Sequence, residues 1–332
     1  MRKQAALFYD YPLGDGEVFG QGRRERLAAL TRLYPHVVNA GNFDEHAANL
    51  AETEVIFATW GMPNLSDAQL TRLPKLAAVF YAAGNVRAFA RQLVDHDIVL
   101  VSAWAINAIP VAEMCLAQIL LSLRGYFRSV RQYRERRAPE AKAFRRPGVN
   151  GATIGLIGMG QIGTRLRTLL CGYPLEVIAC DPYLSAARAA ELEVERVSLA
   201  KLFARAGVVS NHIPDLPETR GMLNAALFEK MREGATFINT GRGAQVVEAD
   251  LITVLEARPD LTALLDVTWP EPPSAASRLW TLPNVAISPH IGGTIGDEVV
   301  RLADCAIAEF ERWQSGEPLR DQVTREVLAT MG

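Results

Sequence analysis

The sequence has little cysteine and little histidine. The four cysteines are far apart and form no Cys-x-x-Cys pair; they are Cys115, Cys171, Cys180 and Cys305. Three of them stand in apolar helix or strand contexts, which is typical of buried thiols in a reducing compartment. The five histidines include no His-x-x-x-His pair, and no acidic cluster accompanies them, so the sequence predicts no metal site.

The chain also lacks a large excess of charge of one sign and a long apolar run. The 35 Lys and Arg residues nearly balance 37 Asp and Glu residues, and the formal net charge of −2 gives no general case for a nucleic-acid or membrane partner. The first ten residues hold too short an apolar run for a signal peptide. The longest apolar-rich helix, predicted around Met114–Leu123, falls short of the roughly 20 residues that cross a bilayer. We therefore expect a cytoplasmic protein.

One basic stretch departs from this balance. Residues 124–146 carry nine Lys and Arg residues against Glu135 and Glu140. Their aromatic and glycine residues do not form the pattern of a nucleic-acid-binding module. A solvent-exposed helix end followed by a linker would explain this excess of positive charge. The alternative is that the positive charges attract an anionic substrate and cofactor to the protein.

A glycine-rich turn stands near the middle of the chain, in Gly158-Met-Gly160-Gln-Ile-Gly163. An apolar run before it predicts a buried strand, and residues 161–170 predict the helix that follows. Gly158 permits a tight turn, Gly160 lets a pyrophosphate approach the backbone, and Gly163 lets helix and strand pack closely. The helix N-terminus adds free N–H groups and the positive end of its dipole.

An acidic residue follows at about the spacing that a dinucleotide site requires. The predicted strand 176–181 ends at Asp181, whose carboxylate would accept hydrogen bonds from the adenosine ribose. Strand, turn, helix and acid together predict a dinucleotide site. A carboxylate at this position favours NADH over NADPH, because it would repel a 2′-phosphate.

Short apolar runs alternate with helical stretches, which predicts doubly wound parallel sheets. The predicted strands are 5–9, 55–59, 76–81, 98–102, 152–157, 176–181, 208–213, 235–240, 261–267 and 285–288. One long helix is predicted from Pro110 to about Tyr133, and the last helix from about Thr294 to Gln314.

The position of the glycine turn sets the domain organisation. At 332 residues the chain is long for one domain. We predict a dinucleotide-binding domain at 105–292 and a substrate-binding domain built from 1–104 plus 293–332. The expected architecture is two Rossmann-like α/β domains, each a doubly wound parallel sheet, with an interdomain cleft as the substrate site.

Hydride transfer on an acidic substrate needs a proton donor and a cation, and both should follow the carboxyl ends of parallel strands. His290, in Ser288-Pro-His-Ile-Gly-Gly293, and Arg242, in Asn239-Thr-Gly-Arg-Gly243, both stand there. A glycine-flanked arginine offers a planar fork to a carboxylate. The alternatives are a structural hinge residue for His290 and a structural salt bridge for Arg242.

Two further residues end or follow predicted strands. His212 lies on the strand nearest the cofactor, and Glu271 follows Asp266 just past a strand end. A carboxylate hydrogen-bonded to His290 would hold its tautomer and stabilise its charged form. Surface positions explain the remaining histidines, His36, His46 and His96.

In chain order, these motifs resemble those of D-isomer-specific 2-hydroxyacid dehydrogenases. The resemblance also includes Tyr81-Ala-Ala-Gly-Asn85, Val111-Ala-Glu113, His212-Ile-Pro and Pro217-Glu-Thr219, so it covers essentially the whole chain. The end at Gly332 resembles short members, of the glyoxylate/hydroxypyruvate reductase-like kind. Glu271 argues against the formate-oxidising branch, which usually pairs its histidine with glutamine.

The resemblance implies roles for individual residues. Arg242, Glu271 and His290 would be catalytic, and Arg242 and His290 would bind substrate together with the backbone N–H groups of Ala83, Gly84 and Asn85. The implied cofactor contacts are Gly158, Gly160, Gln161, Ile162, Gly163, Asp181, Pro182, His212, Ile213, Pro214, Thr219, Thr240, Gly241, Asp266 and Gly292. Cys115 stands where relatives often carry a threonine near the nicotinamide. Members are typically homodimers through the nucleotide-binding domain.

The sequence is therefore interpreted as an NAD-dependent oxidoreductase that interconverts a 2-oxo acid and its D-2-hydroxy acid. His290 would be the acid/base, Glu271 its partner and Arg242 the substrate anchor. The alternative is an NAD(H)-sensing, corepressor-like binding protein with little turnover, since such relatives keep similar residues. Oxidation of NADH on adding a 2-oxo acid discriminates the two.

Overall fold

The computed structural model of the chain describes residues 2–10, 18–137 and 148–330. The chain divides into two units: one is built from residues 1–108 and 294–332, the other from residues 109–293. The boundaries expected from the sequence, 104/105 and 292/293, stand one to four residues before these divisions. Residues 138–146 of the basic stretch lie outside the described residues.

The described residues form two sheets in which every strand pair is parallel. The strands are β1 Gln4–Phe8, β2 Arg32–Val38, β3 Val55–Ala58, β4 Ala78–Tyr81, β5 Val99–Ser102, β6 Thr153–Ile157, β7 Glu176–Cys180, β8 Glu195–Arg196, β9 Val208–Asn211, β10 Thr236–Asn239, β11 Thr262–Leu265 and β12 Val285–Ile287. The first unit has the order β2-β1-β3-β4-β5, and the second β12-β11-β10-β9-β6-β7-β8. In each sheet the order reverses beside its first strand, which is the doubly wound topology.

Helices connect these strands. They are α1 Arg23–Leu30, α2 Phe43–Leu50, α3 Asp67–Thr71, α4 Ala90–Asp95, α5 Trp104–Leu123, α6 Tyr126–Arg136, α7 Gln161–Leu170, α8 Ala186–Glu191, α9 Leu199–Arg205, α10 Ala225–Phe228, α11 Glu248–Ala257, α12 Val300–Ser315 and α13 Arg325–Thr330. Ser66 begins α3 with a capping box, because its hydroxyl accepts from the N–H of Gln69 and the Gln69 side chain accepts from the Ser66 N–H.

Each sheet is covered on both faces. In the first unit one core lies around Phe8, Ile56 and Val79, and the other around Phe57, Phe80 and Phe310. The second unit repeats this arrangement with two further cores. Most central strands are buried at every position, so they read as unbroken apolar runs and not as alternating patterns. The two parallel-sheet α/β domains expected from the sequence are confirmed.

The ten predicted strands are all present within two residues of their predicted bounds. Two strands were missed. β2 is an edge strand that contains Pro35 and has exposed residues at three of its seven positions, so no apolar run marks it. β8 has only two residues, both exposed.

The predicted helix Pro110–Tyr133 is wrong at its start and in its continuity. α5 begins at Trp104 and includes Pro110. It is separated from α6 by Gly125, whose φ of 67° lies in the left-handed region that ends a helix. The helix predicted from Thr294 also begins later than predicted, because a 3₁₀ turn, Gly296–Val299, precedes α12. It is not the last helix, since α13 follows it and was not predicted.

The length of α5 corrects a second expectation. It has 20 residues, with a mean hydropathy of 1.7 over its most apolar window, and by length and composition alone it could cross a membrane. Ala112, Cys115 and Ile119 on this helix are fully buried in a core of the second unit. That packing is also typical of the core helix of an α/β domain.

Candidate active site

The glycine turn between β6 and α7 has the geometry of a phosphate-binding turn. Gly158 has a φ of 88°, which an L side chain rarely adopts. A Cβ on Gly163 would stand 2.1 Å from the carbonyl oxygen of Gly158, so only glycine allows helix and strand to approach this closely. A Cβ on Gly160 would meet no atom within 4 Å, which leaves open space in front of the α7 N-terminus. No side chain caps that N-terminus, so its N–H groups suit a dinucleotide phosphate.

Asp181 lies directly after β7, beside the glycine turn. Its Oδ2 accepts a 2.6 Å hydrogen bond from the Met159 N–H, and its Oδ1 accepts from the Tyr183 N–H at 2.7 Å. Pro182 between them is exposed. The carboxylate is thereby fixed at the sheet edge where a ribose would follow a pyrophosphate on α7. The turn and Asp181 together fit the dinucleotide predicted from the sequence.

Two loops meet beyond the ends of β9 and β10. The Nδ1 atom of His212 lies 3.2 Å from Thr240 Oγ1, which is 3.4 Å from Cys115 Sγ. Burial lowers the pKa of His212 to about 3, so this ring is neutral at physiological pH. Burial also raises the pKa of Cys115 to about 11. His212 is therefore suited to hydrogen bonding beside a cofactor and unsuited to acid catalysis.

The loop after His212 folds back on Thr219. The Thr219 hydroxyl donates to the Pro214 carbonyl at 2.8 Å and accepts from the Leu216 N–H at 2.9 Å. Thr219 therefore shapes the loop that carries Ile213 and Pro214. Its predicted contact to a cofactor stays a prediction.

Arg242 follows β10 on a loop whose backbone is closely packed. Its Nη1 donates to the Gly241 carbonyl at 2.7 Å. A Cβ on Gly243 would stand 1.9 Å from the Thr268 carbonyl carbon, so this loop lies against the backbone at Thr268. Burial lowers the pKa of the Arg242 guanidinium, while the carboxylates of Glu271 and Asp215 oppose that shift. The cation stays charged and partly desolvated, which suits the binding of an anion.

His290 and Glu271 form a hydrogen-bonded pair. Nδ1 of His290 lies 2.6 Å from Glu271 Oε1, and both side chains are partly exposed. His290 has a φ of 53°, a backbone conformation that is strained for a non-glycine residue and that is concentrated at functional sites. Glu271 Oε2 accepts from the Thr268 N–H at 3.4 Å. Through Thr268 the pair is continuous with the Arg242 loop, so the three predicted catalytic residues belong to one site.

Asp266 holds the histidine loop. Its Oδ1 accepts from Ser288 Oγ at 2.6 Å and from the Ile291 N–H at 2.9 Å, and its Oδ2 accepts from the Gly292 N–H at 2.8 Å. The Asp266 carbonyl also accepts from the His290 N–H. Asp266 is 3% exposed. Its predicted contact with a nicotinamide amide stays a prediction. The structure shows in addition that Asp266 fixes the loop that carries His290 through these hydrogen bonds.

In the first unit, the turn after β4 presents Ala83, Gly84 and Asn85. Ser102 Oγ donates to the carbonyls of Ala83 and Gly84, at 2.9 and 2.7 Å. The hydrogen bonds of this turn use its carbonyl groups, and among the described residues nothing accepts from the three backbone N–H groups. Those groups are available to a carboxylate, and their predicted role as a substrate anchor stays a prediction.

Comparison with known proteins identifies the family. The model of the D-isomer specific 2-hydroxyacid dehydrogenase, NAD binding domain, matches residues 116–292. This chain belongs to that family. A D-3-phosphoglycerate dehydrogenase of Archaeoglobus fulgidus is 31% identical over 258 residues, a match that spans 74% of this chain and 49% of that protein. The chain spans about half the length of the curated relatives it matches.

Solved structures share the fold. A phosphoglycerate oxidoreductase from Rhizobium etli superposes with a TM-score of 0.82 at 22% identity, covering 98% of this chain and 100% of that one. An NAD-complexed D-isomer specific 2-hydroxyacid dehydrogenase from Lactobacillus delbrueckii has a TM-score of 0.77 at 18% identity, covering 97% and 100%. Residues 116–292 thus carry the NAD-binding domain of the family.

Sequence reasoning missed two residues that support this candidate site. The Ser288 hydroxyl donates a hydrogen bond to the Asp266 carboxylate. The buried side-chain amide of Gln245 accepts a hydrogen bond from the Arg242 N–H. Ser288 is the last residue of one predicted strand and Gln245 follows another, but nothing in their spacing distinguishes them from ordinary loop residues. Among the described residues, no group of three His, Cys, Asp or Glu side chains could hold a metal ion.

Proposed function

We propose that this chain is an NAD-dependent oxidoreductase that interconverts a 2-oxo acid and its D-2-hydroxy acid. The observation that carries the proposal is the 2.6 Å pair of His290 and Glu271, joined through Thr268 to the Arg242 loop. A histidine held by a carboxylate can give and take one proton, and a nearby arginine can bind an acidic substrate. Membership of the family supports the same reaction class.

The proposed mechanism divides the work among these side chains. When bound, NADH supplies the hydride that C2 of the 2-oxo acid accepts. Arg242 binds the substrate carboxylate and polarises its carbonyl, because its planar fork donates two parallel hydrogen bonds. Glu271 holds Nδ1 of His290, which leaves Nε2 to deliver a proton to the carbonyl oxygen. In the reverse direction neutral His290 removes the hydroxyl proton.

A test of the proton role uses His290→Asn, with His96→Asn as its matched control. His96 is an exposed histidine that bonds the Gln92 carbonyl. We expect His290→Asn to bind NADH normally, by fluorescence titration, while kcat for reduction falls about 10²- to 10⁴-fold, the usual contribution of general acid catalysis. His96→Asn should match the wild type. If His290→Asn keeps a tenth of wild-type activity, the assignment is wrong.

The reaction class itself is tested with a panel of 2-oxo acids. Purified protein is mixed with NADH or NADPH, and oxidation is followed on adding glyoxylate, hydroxypyruvate and larger 2-oxo acids. Turnover of at least one acid with NADH supports the enzyme. Tight NADH binding without oxidation by any acid would instead favour the dinucleotide-sensing protein considered above.

The assembly expected for this family is also a proposal. Leu121 near the end of α5 and Tyr126 at the start of α6 are 39% and 50% exposed. These apolar side chains on the nucleotide-binding unit are suited to an interface with a second copy. Light scattering on the purified chain should give the mass of a homodimer. A cytoplasmic location stays an expectation from composition.

A further inference from the structure

A buried amide network lies behind the Arg242 loop. Gln245 is completely buried, and its side chain makes four hydrogen bonds. Its Oε1 accepts from the Arg242 N–H at 3.1 Å and from Asn211 Nδ2 at 2.6 Å. Its Nε2 donates to the carbonyls of Ile213 and Pro214, at 2.7 and 2.8 Å. A buried amide in which both donors and the acceptor are used is strongly restricted in position.

Two asparagines complete the network. Asn211 at the end of β9 donates to Asn239 Oδ1 at 2.9 Å as well as to Gln245. Asn239 at the end of β10 donates to the Arg242 carbonyl at 3.2 Å and accepts from the Gly241 N–H at 3.1 Å. Both asparagines are at most 1% exposed. The backbone of Arg242 is thus held at its N–H by Gln245 and at its carbonyl by Asn239.

The space around the network leaves little room for adjustment. A Cβ on Gly241 would stand 2.8 Å from Asn211 Nδ2 and 2.9 Å from Gln245 Oε1. The backbone at Gly241, just before Arg242, therefore packs directly against the side-chain amides of Asn211 and Gln245. Gln245 also joins this loop to Ile213 and Pro214, so Arg242 is fixed relative to the sheet through two independent strands, β9 and β10.

We propose that Gln245, supported by Asn211, is a positioning residue for Arg242. It touches neither substrate nor cofactor; it sets the backbone from which the guanidinium projects. A misplacement of about 1 Å at a catalytic group can cost about 100-fold in rate, so a network of this rigidity matters for catalysis. The inference rests on the proposed role of Arg242 as substrate anchor.

The test is a double-mutant cycle between Gln245→Met and Arg242→Ala. Methionine approximates the length and volume of glutamine but makes none of the four hydrogen bonds. For Gln245→Met we expect a loss of about 10- to 100-fold in kcat/KM for the 2-oxo acid, with a raised KM, in protein that still binds NADH. In the Arg242→Ala background the same change should cost less than about threefold, because no guanidinium is left to position.

A matched control separates positioning from general stability. Asn284 is another buried amide of this unit, 3% exposed, which donates to the carbonyls of Leu255 and Arg258. Asn284→Leu should lower the melting temperature and leave kcat/KM within about twofold of wild type. If Gln245→Met does not fold, Asn211→Leu replaces it in the cycle, with a smaller loss in the same direction.

The outcomes are distinct. Losses that multiply in the double variant would show that Gln245 acts independently of Arg242, and would overturn the proposal. So would wild-type kinetics of Gln245→Met. Unchanged kinetics of Arg242→Ala would instead overturn the substrate-anchor assignment, and the positioning role would fall with it.

Discussion

Replacing Asp266 by asparagine should loosen the loop that carries His290. The carboxylate accepts three hydrogen bonds of 2.6 to 2.9 Å, from Ser288 Oγ and from the N–H groups of Ile291 and Gly292. An asparagine can keep one oxygen in place, but its NH₂ group then faces the N–H of Gly292. Two donors would oppose each other at a site that is 3% exposed.

The size of the effect follows from this count. Leaving a buried N–H without an acceptor costs about 1–3 kcal/mol, and bonds to a charged acceptor are about twice as strong as neutral ones. We therefore expect Asp266→Asn to lower the free energy of unfolding by about 3 kcal/mol. For a unit of this size, that corresponds to a melting temperature about 6–12 °C lower. The kcat for 2-oxo acid reduction should fall at least about 10-fold, because the backbone of His290 loses its clamp.

Scanning calorimetry and steady-state kinetics on the same preparation test both parts. Asp260→Asn is the matched control, since that carboxylate also accepts from a backbone N–H, that of Gly234, at 2.7 Å. The control should lose stability and keep its kcat. A variant Asp266→Asn with wild-type melting temperature would refute the argument from hydrogen bonds, and one with lowered stability but normal kcat would separate the clamp from catalysis.

Three further predictions rest on other parts of the chain. Wild-type protein should have a higher kcat/KM with NADH than with NADPH, and Asp181→Ala should reduce this difference. Equal kcat/KM values with the two cofactors in the wild type would count against the ribose contact. Iodoacetamide at pH 7.5 should label exposed Cys171 first, by peptide mass spectrometry, because burial raises the pKa of Cys115 to about 11 and of Cys305 to about 12. Burial and a neighbouring carboxylate raise the pKa of Asp321 in the folded protein. The charged carboxylate therefore destabilises the fold above that raised pKa, and this loss of stability disappears once the pH falls below the ordinary pKa of an aspartate. Asp321→Asn should therefore raise the melting temperature at pH 7 and lose that advantage near pH 4; an equal gain at both pH values would exclude titration as the cause.

Local patterns allowed much of the fold to be predicted. Central strands of a parallel sheet are buried on both faces, so they appear as short apolar runs, and all ten predicted strands exist. The edge strand β2 was missed because an edge is half solvated and tolerates Pro35. The break between α5 and α6 was missed because the apolar periodicity continues across Gly125, and only its left-handed φ ends the helix.

By itself the sequence determined the order of ten of the twelve described strands, the glycine turn with Asp181, and the positions of Arg242 and His290 after strand ends. These are properties of neighbouring residues, where spacing alone fixes which groups share a turn. Only the tertiary structure decided that Glu271 meets His290, that Asp266 clamps the histidine loop and that Gln245 supports Arg242. Those contacts join residues from different strands, and their energy comes from burial and hydrogen-bond geometry that exist only once the sheet has assembled.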